Sequence, residues 1–300
     1  WLKPFGLKPP SLGSRGFAAM APPAAPLESW YWYAGNREEQ SFFGICIGLN
    51  VSMLLACVVL SNGIAAPYGR YNNAEAKATN GAVLRLLSSG DVNARVAWIL
   101  QECPTLITAA ASWVYGDPAC TASPGNLLLL ACFTVHYTNR SIIYPLRMKG
   151  SKPVPLPVML AAMSFCAANG CIQCFSLTRL LIIRASELTT VLGVAMWALG
   201  LYINLDADHI LRNLRKPGET GYKIPHGGMF EYVSGANLFG ETLEWTGYAL
   251  AMGGALPGAM FALCTACNLG PRAVEHHRWY LKKFKEEYPK HRRAFIPFVL

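Results

Sequence analysis

The chain has 300 residues, 53% of them hydrophobic and only 14% charged, and its 26 Lys or Arg against 17 Asp or Glu give a net charge of +9. Soluble globular domains run to about 25% charged residues, so this composition excludes disorder and points to an integral membrane protein. The positive excess lies between apolar runs and forms no single basic face, which argues against a nucleic-acid partner.

Residues 1–40 read as an amino-terminal extension. It begins without Met and carries Lys3, Lys8 and Arg15, so Met20 is the expected start, with a basic, acid-poor transit segment as the alternative. From 41 to 300 no polar linker interrupts the apolar segments, and one membrane domain is expected. A bilayer core about 30 Å thick needs roughly 20 apolar residues per helix. Seven segments suit: Phe42–Leu60, Val96–Gly116, Gly125–Leu146, Leu156–Leu177, Leu188–Leu205, Ser234–Gly253 and the shorter Ala255–Gly270. Cysteines 46, 57, 132, 166, 171, 174, 264 and 267 lie inside these segments and read as small buried hydrophobes. The pairs Cys171/Cys174 and Cys264/Cys267 have zinc-like spacing, but in uncharged spans they argue for no metal.

The connecting segments alternate in charge. Arg70, Lys77, Arg85 and Arg95 follow the first span, Asp117–Pro124 has no Lys or Arg, and Arg147, Lys149 and Lys152 follow the third. Arg212, Arg215, Lys216 and Lys223 follow the fifth, and eight Lys or Arg occupy the tail from Arg272. Counting cations in short loops places the carboxyl end in the cytosol and the amino end in the lumen. The fold class expected is an all-α, seven-transmembrane-helix bundle.

An ionisable group inside a span is costly unless it is paired or faces a cavity. Glu102 is the first, beside Gln101 and followed by Pro104, which removes a backbone donor and kinks the helix. Desolvation favours its neutral form, which can donate a hydrogen bond; the alternative is a carboxyl satisfied by a neighbouring helix. His136, Tyr137 and Arg140 follow in the third span, with His136 and Arg140 on one face. A Tyr137 hydroxyl near a neutral Glu102 would give two donors converging on one ligand oxygen, although Tyr137 alone also reads as a packing residue.

In the fifth span Asn204, Asp208 and Arg215 lie within about 40° of one another around a helix, a polar stripe at the cytosolic mouth. In the sixth, Asn237, Glu241, Trp245 and Tyr248 share a face, with Glu244 beside them. Past the seventh, Arg272, His276 and Tyr280 recur every four residues. Arg215 and Arg272 near one mouth suit a phosphate-bearing cofactor. Lys282, Lys283, Lys285, Arg292 and Arg293 read instead as anchors to lipid head groups. No G-x-G-x-x-G or Walker A string is present, and Gly227-Gly228 reads as a turn.

Several strings resemble the steroid 5α-reductases. They are Gln101-Glu102 with Pro104, His136-Tyr137 with Arg140, the stretch LRNLRKPGETGYKIPHGGMFEYVSGANLFGETLEWTGYALA (Leu211–Ala251), and HHRWYLKKF with YPKHRRAFIPFVL at the end. The resemblance covers the family-like catalytic region at 100–300. It implies a membrane enzyme of the endoplasmic reticulum that reduces the Δ4 double bond of 3-oxo steroids with NADPH. By the same resemblance Glu102 and Tyr137 would bind the steroid C3 carbonyl. Asn204, Asp208, Arg215, Tyr222, Asn237, Glu241, Arg272 and His276 would line the NADPH site, and Trp245 would wall the steroid pocket. Steroid would enter from surrounding membrane lipid. His226 stands where animal members carry Gln. The alternatives are a related reductase acting on polyprenol or trans-2-enoyl-CoA, an isoprenylcysteine-type membrane methyltransferase and a seven-span receptor.

Overall fold

The computed structural model describes residues 89–300 other than 217, together with Gly44, Ile47, Gly48 and Val51. The amino-terminal extension and the expected first span Phe42–Leu60 thus lie, apart from those four positions, outside the described residues. Six long helices occupy the six apolar segments that remain: α1 (Ala94–Val114), α2 (Pro124–Thr138), α3 (Leu156–Phe175), α4 (Leu188–Asn213), α5 (Ala236–Ala251) and α6 (Leu256–Phe284). Two stretches, Leu156–Leu180 and Leu188–Asn213, are long and apolar enough to cross a membrane by length and hydropathy.

Local chemistry sets the helix starts. The Asn93 side chain accepts from the Arg95 and Val96 amides at 3.0 and 3.5 Å and caps α1. Pro124 and Pro257 sit in the first turns of α2 and α6, where a missing N–H costs nothing. A two-residue antiparallel pairing of β1 (Asp91–Val92) with β2 (Val154–Pro155) ties the approach to α1 to that of α3.

The expected continuous span Gly125–Leu146 is not one regular helix. After Thr138 the backbone runs as a π-helical segment, Asn139–Ile143, and then as a short α-turn, Tyr144–Arg147. A π turn inserts residues into the helical ladder and re-aims the side chains it carries, here the buried Arg140 and Ser141. A second π segment, Ser176–Leu180, extends α3.

Helices α4 and α5 pack antiparallel with backbones in contact. A Cβ on Gly193 or Gly200 would collide with the backbone of Ala251 or Glu244, and one on Gly240 or Gly247 with that of Asn204 or Trp197. Glycine repeating every seven residues on both helices makes this approach possible. It sets Asn204 and Asp208 of α4 against Asn237 and Glu241 of α5. The apolar core includes Leu129, Phe133, Tyr137, Trp197, Trp245, Tyr248 and Phe261.

The tail closes over the segment between α4 and α5. The Ser234 and Gly235 amides donate to the Arg293 and Ala294 carbonyls at 2.9 and 3.1 Å, and the Arg293 amide donates to Tyr232 O at 2.8 Å. Arg292 is not a lipid anchor. Its side chain is buried and donates to the Pro225 carbonyl at 2.8 Å and to Glu231 Oε2 at 3.4 Å. Gly227, at φ 94°, turns its amide onto Glu231 Oε1 at 2.6 Å, so the Gly227-Gly228 turn forms part of this latch.

Candidate active site

Polar side chains converge in the bundle interior in three layers. In the first, Glu102 of α1 faces α3, where Cys166 Sγ lies 3.4 Å from Glu102 Oε2 and donates to it. Tyr137 of α2 is 4% exposed and faces the same helix, its hydroxyl accepting from Asn169 Nδ2 at 3.4 Å. Cys166 and Asn169 are three residues apart, so Glu102 and Tyr137 address points about 4.5 Å apart along one face of α3. The sequence reading of Cys166 as a plain hydrophobe misses its contact with Glu102.

In the second layer His136 Nδ1 meets Glu244 Oε1 at 2.7 Å, both residues being buried. The Trp245 ring, 1% exposed, lies 4.5 Å from His136, 4.3 Å from Phe261 and 5.9 Å from Tyr137, packed in the aromatic core beside Tyr137.

The third layer centres on Arg140, whose guanidinium donates to Asp208 Oδ2 at 3.2 Å and Glu241 Oε2 at 2.8 Å. It also lies 5.0 Å from the ring centroids of Trp98 and Tyr144. Asn204 Nδ2 donates to the Asn237 carbonyl at 2.9 Å and to Glu241 at 3.5 Å. Asn204 Oδ1 is buried with no hydrogen-bond partner among the described residues. A guanidinium shared by two carboxylates inside a helical bundle holds α2, α4 and α5 in register.

The structure therefore brings Asn204, Asp208, Asn237 and Glu241 into one network around Arg140. Arg215 stands apart from it, exposed past the end of α4. Tyr222 is also exposed and packs edge-on against Trp279 of α6 at 4.7 Å. Arg272 and His276 are partly buried on that same helix, one turn apart. At the start of the sixth span, Ser234 Oγ lies 2.6 Å from the Tyr288 hydroxyl and from Nδ1 of His277, which stands beyond the seventh span. Burial, and then Arg293, hold His277 below the usual imidazole range, so at neutral pH it meets Ser234 uncharged. The residues that sequence reasoning missed are Asn169 and Gln173. Their signal was two amides four residues apart in a span without charge.

A family profile described as 3-oxo-5-alpha-steroid 4-dehydrogenase matches residues 152–300. Among relatives, the 3-oxo-5-alpha-steroid 4-dehydrogenase 1 of Macaca fascicularis is 49% identical over 211 residues, covering 69% of this chain and 80% of its own. That of Bos taurus is 44% identical over 257 residues, 84% of this chain and 95% of its own. The 3-oxo-5-alpha-steroid 4-dehydrogenase 2 of Rattus norvegicus is 41% identical over 250 residues, 82% and 92%. An alignment of 257 residues exceeds the 201 from Leu100 to Leu300, so similarity extends upstream of Leu100. On these identities and coverages, the chain belongs to the 3-oxo-5α-steroid 4-dehydrogenase family of oxidoreductases acting on CH–CH groups.

Proposed function

We propose that this enzyme reduces the Δ4 double bond of 3-oxo-Δ4 steroids with NADPH, in the endoplasmic reticulum membrane, with seven spans and a cytosolic carboxyl end. The observation that carries the reading is that Glu102 and Tyr137 meet one face of α3 within a single turn, at Cys166 and Asn169. Membrane residence is supported by apolar side chains on the outside of the helices, such as Val96, Leu100, Ile107 and Val114 of α1.

The residues fit a nicotinamide cofactor. The unpartnered Asn204 Oδ1 offers an acceptor for a carboxamide N–H, and the inner network of Asp208, Glu241 and Arg140 sums to one negative charge. Arg215, Tyr222, Arg272 and His276 would supply donors to phosphate at the cytosolic mouth. When bound, NADPH supplies the hydride that reaches steroid C5.

Glu102, as a neutral acid, and Tyr137 donate to the C3 oxygen and stabilise the enolate that develops there; a proton from solvent then forms the C4–H bond as the enolate collapses back to the C3 ketone. This is preorganised stabilisation of a developing oxyanion, in which one lost donor costs on the order of 10²–10³ in rate. Trp245 with Phe133 and Phe261 excludes water from the apolar body of the substrate. Steroid enters from the lipid.

The test is Glu102→Gln, expressed in membranes beside the parent chain and assayed with testosterone and campest-4-en-3-one. NADPH affinity should be retained and kcat should fall by about 10²–10³. A variant that folds, binds NADPH and reduces either steroid at the parental rate removes the role of Glu102.

A further inference from the structure

Asn169 and Gln173 are 0% and 1% exposed, lie one helical turn apart on α3, and are joined in a chain of hydrogen bonds whose direction is fixed at one end. Gln173 Nε2 donates to the Pro257 carbonyl of α6 at 2.8 Å. A backbone carbonyl can only accept, so the nitrogen of the Gln173 amide must face it. The same nitrogen donates to Asn169 Oδ1 at 3.1 Å, which fixes the Asn169 amide with its oxygen toward Gln173. Asn169 Nδ2 is left facing the Tyr137 hydroxyl at 3.4 Å. An oxygen that accepts along that line points its own proton elsewhere.

We propose that Asn169 and Gln173 are positioning residues that carry the polarity of the Pro257 carbonyl across α3 and so aim the Tyr137 proton at the substrate carbonyl. The inference rests on the reading of Tyr137 as a donor and adds what makes it one. A phenol in an apolar pocket rotates freely and is as ready to accept as to donate. One held by Asn169 has its lone pair occupied on the α3 side and meets the substrate as a donor without reorganisation. Asn169, buried in an otherwise apolar helix with its oxygen and its nitrogen both engaged, also gains a reason to be there, since burying an amide is favourable only where its hydrogen bonds are made, whereas Gln173 Oε1 has no partner among the described residues. The chain runs from α6 through α3 to α2, so the first turn of α6 acts on Tyr137 without touching the steroid.

The experiment is a double-mutant cycle in the full chain, with Asn169→Ala, Tyr137→Phe and the double variant. Steroid turnover and NADPH affinity are measured for each. Asn169→Ala is expected to lower kcat about tenfold with NADPH affinity unchanged. In the Tyr137→Phe background, which has no hydroxyl to aim, the same change should have no further effect on kcat. A double variant slower than Tyr137→Phe by the full Asn169→Ala factor overturns the relay and leaves Tyr137 as a donor. Parental kcat in Asn169→Ala also overturns the relay alone. Parental kcat in Tyr137→Phe overturns both readings. Should Asn169→Ala fail to fold, Gln173→Met, which removes the anchor to Pro257, takes its place in the cycle under the same criteria.

Discussion

Glu244 is paired with His136 at 2.7 Å, yet its second oxygen, Oε2, is buried without a partner among the described residues. Such a pair stabilises weakly as a whole and destabilises strongly when halved, because removing one partner strands the other. Glu244→Ala should therefore lower stability by about 3–5 kcal/mol, and His136→Leu with Glu244→Leu together should cost less than that single change. Thermal unfolding in detergent checks this, and a double variant less stable than Glu244→Ala would contradict it. Glu102, His136, Arg140 and Glu241 stood out in the sequence because charge inside an apolar run is costly, and Asp208 because it shares a helix face with Asn204. Asn169 and Gln173 were not, because an uncharged amide barely disturbs an apolar pattern.

The α4–α5 contact shows what a helix pair contributes beyond its side chains. Glycines at 193, 200, 240 and 247 allow the backbones to meet, and Asn204 can then reach the Asn237 carbonyl at 2.9 Å. Gly200→Ala puts a methyl against the Glu244 backbone, which can yield only by moving the helix. We expect a loss of about 1–3 kcal/mol in stability and weaker NADPH binding in the same variant, measured by unfolding and by cofactor titration. Equal NADPH affinity in Gly200→Ala and the parent would show that helix spacing does not set the cofactor site. The order of these helices followed from the apolar runs, but their lengths did not, since α4 runs on to Asn213 and α6 to Phe284, past the expected ends at Leu205 and Gly270. The break after Thr138 did not, since a π segment leaves no mark in hydropathy and follows from how Arg140 packs.

Across the described residues, the spans carry polar groups inside and apolar ones outside. Asn126, His136, Arg140, Asn169, Asn204 and Glu244 are buried, whereas Leu188, Val191, Leu192 and Leu199 of α4 face outward. Outside the spans, the tail latch depends on Glu231. Its carboxyl is held below the usual range first by the Gly227 amide and then by Arg292 and His226. A depressed folded value means that the contribution is complete above about pH 4.3, the ordinary Glu value, and is lost as pH falls through the lower folded value. Glu231→Gln should flatten the acid side of the stability profile and leave its shape between about pH 6 and 8 the same as in the parent. An acid limb as steep as the parent's would remove Glu231 from that dependence. Arg292 was misread in the sequence because a basic tail resembles a lipid anchor until the carbonyl it meets, Pro225, is placed by the fold.

The most direct measurement is isotope transfer. Membranes containing this chain, supplied with testosterone and NADPH deuterated at nicotinamide C4, should yield a 5α-reduced steroid carrying one deuterium, located at C5 by mass spectrometry and NMR. A product without that label, or no reduced steroid from membranes that bind NADPH and the substrate, would contradict the account.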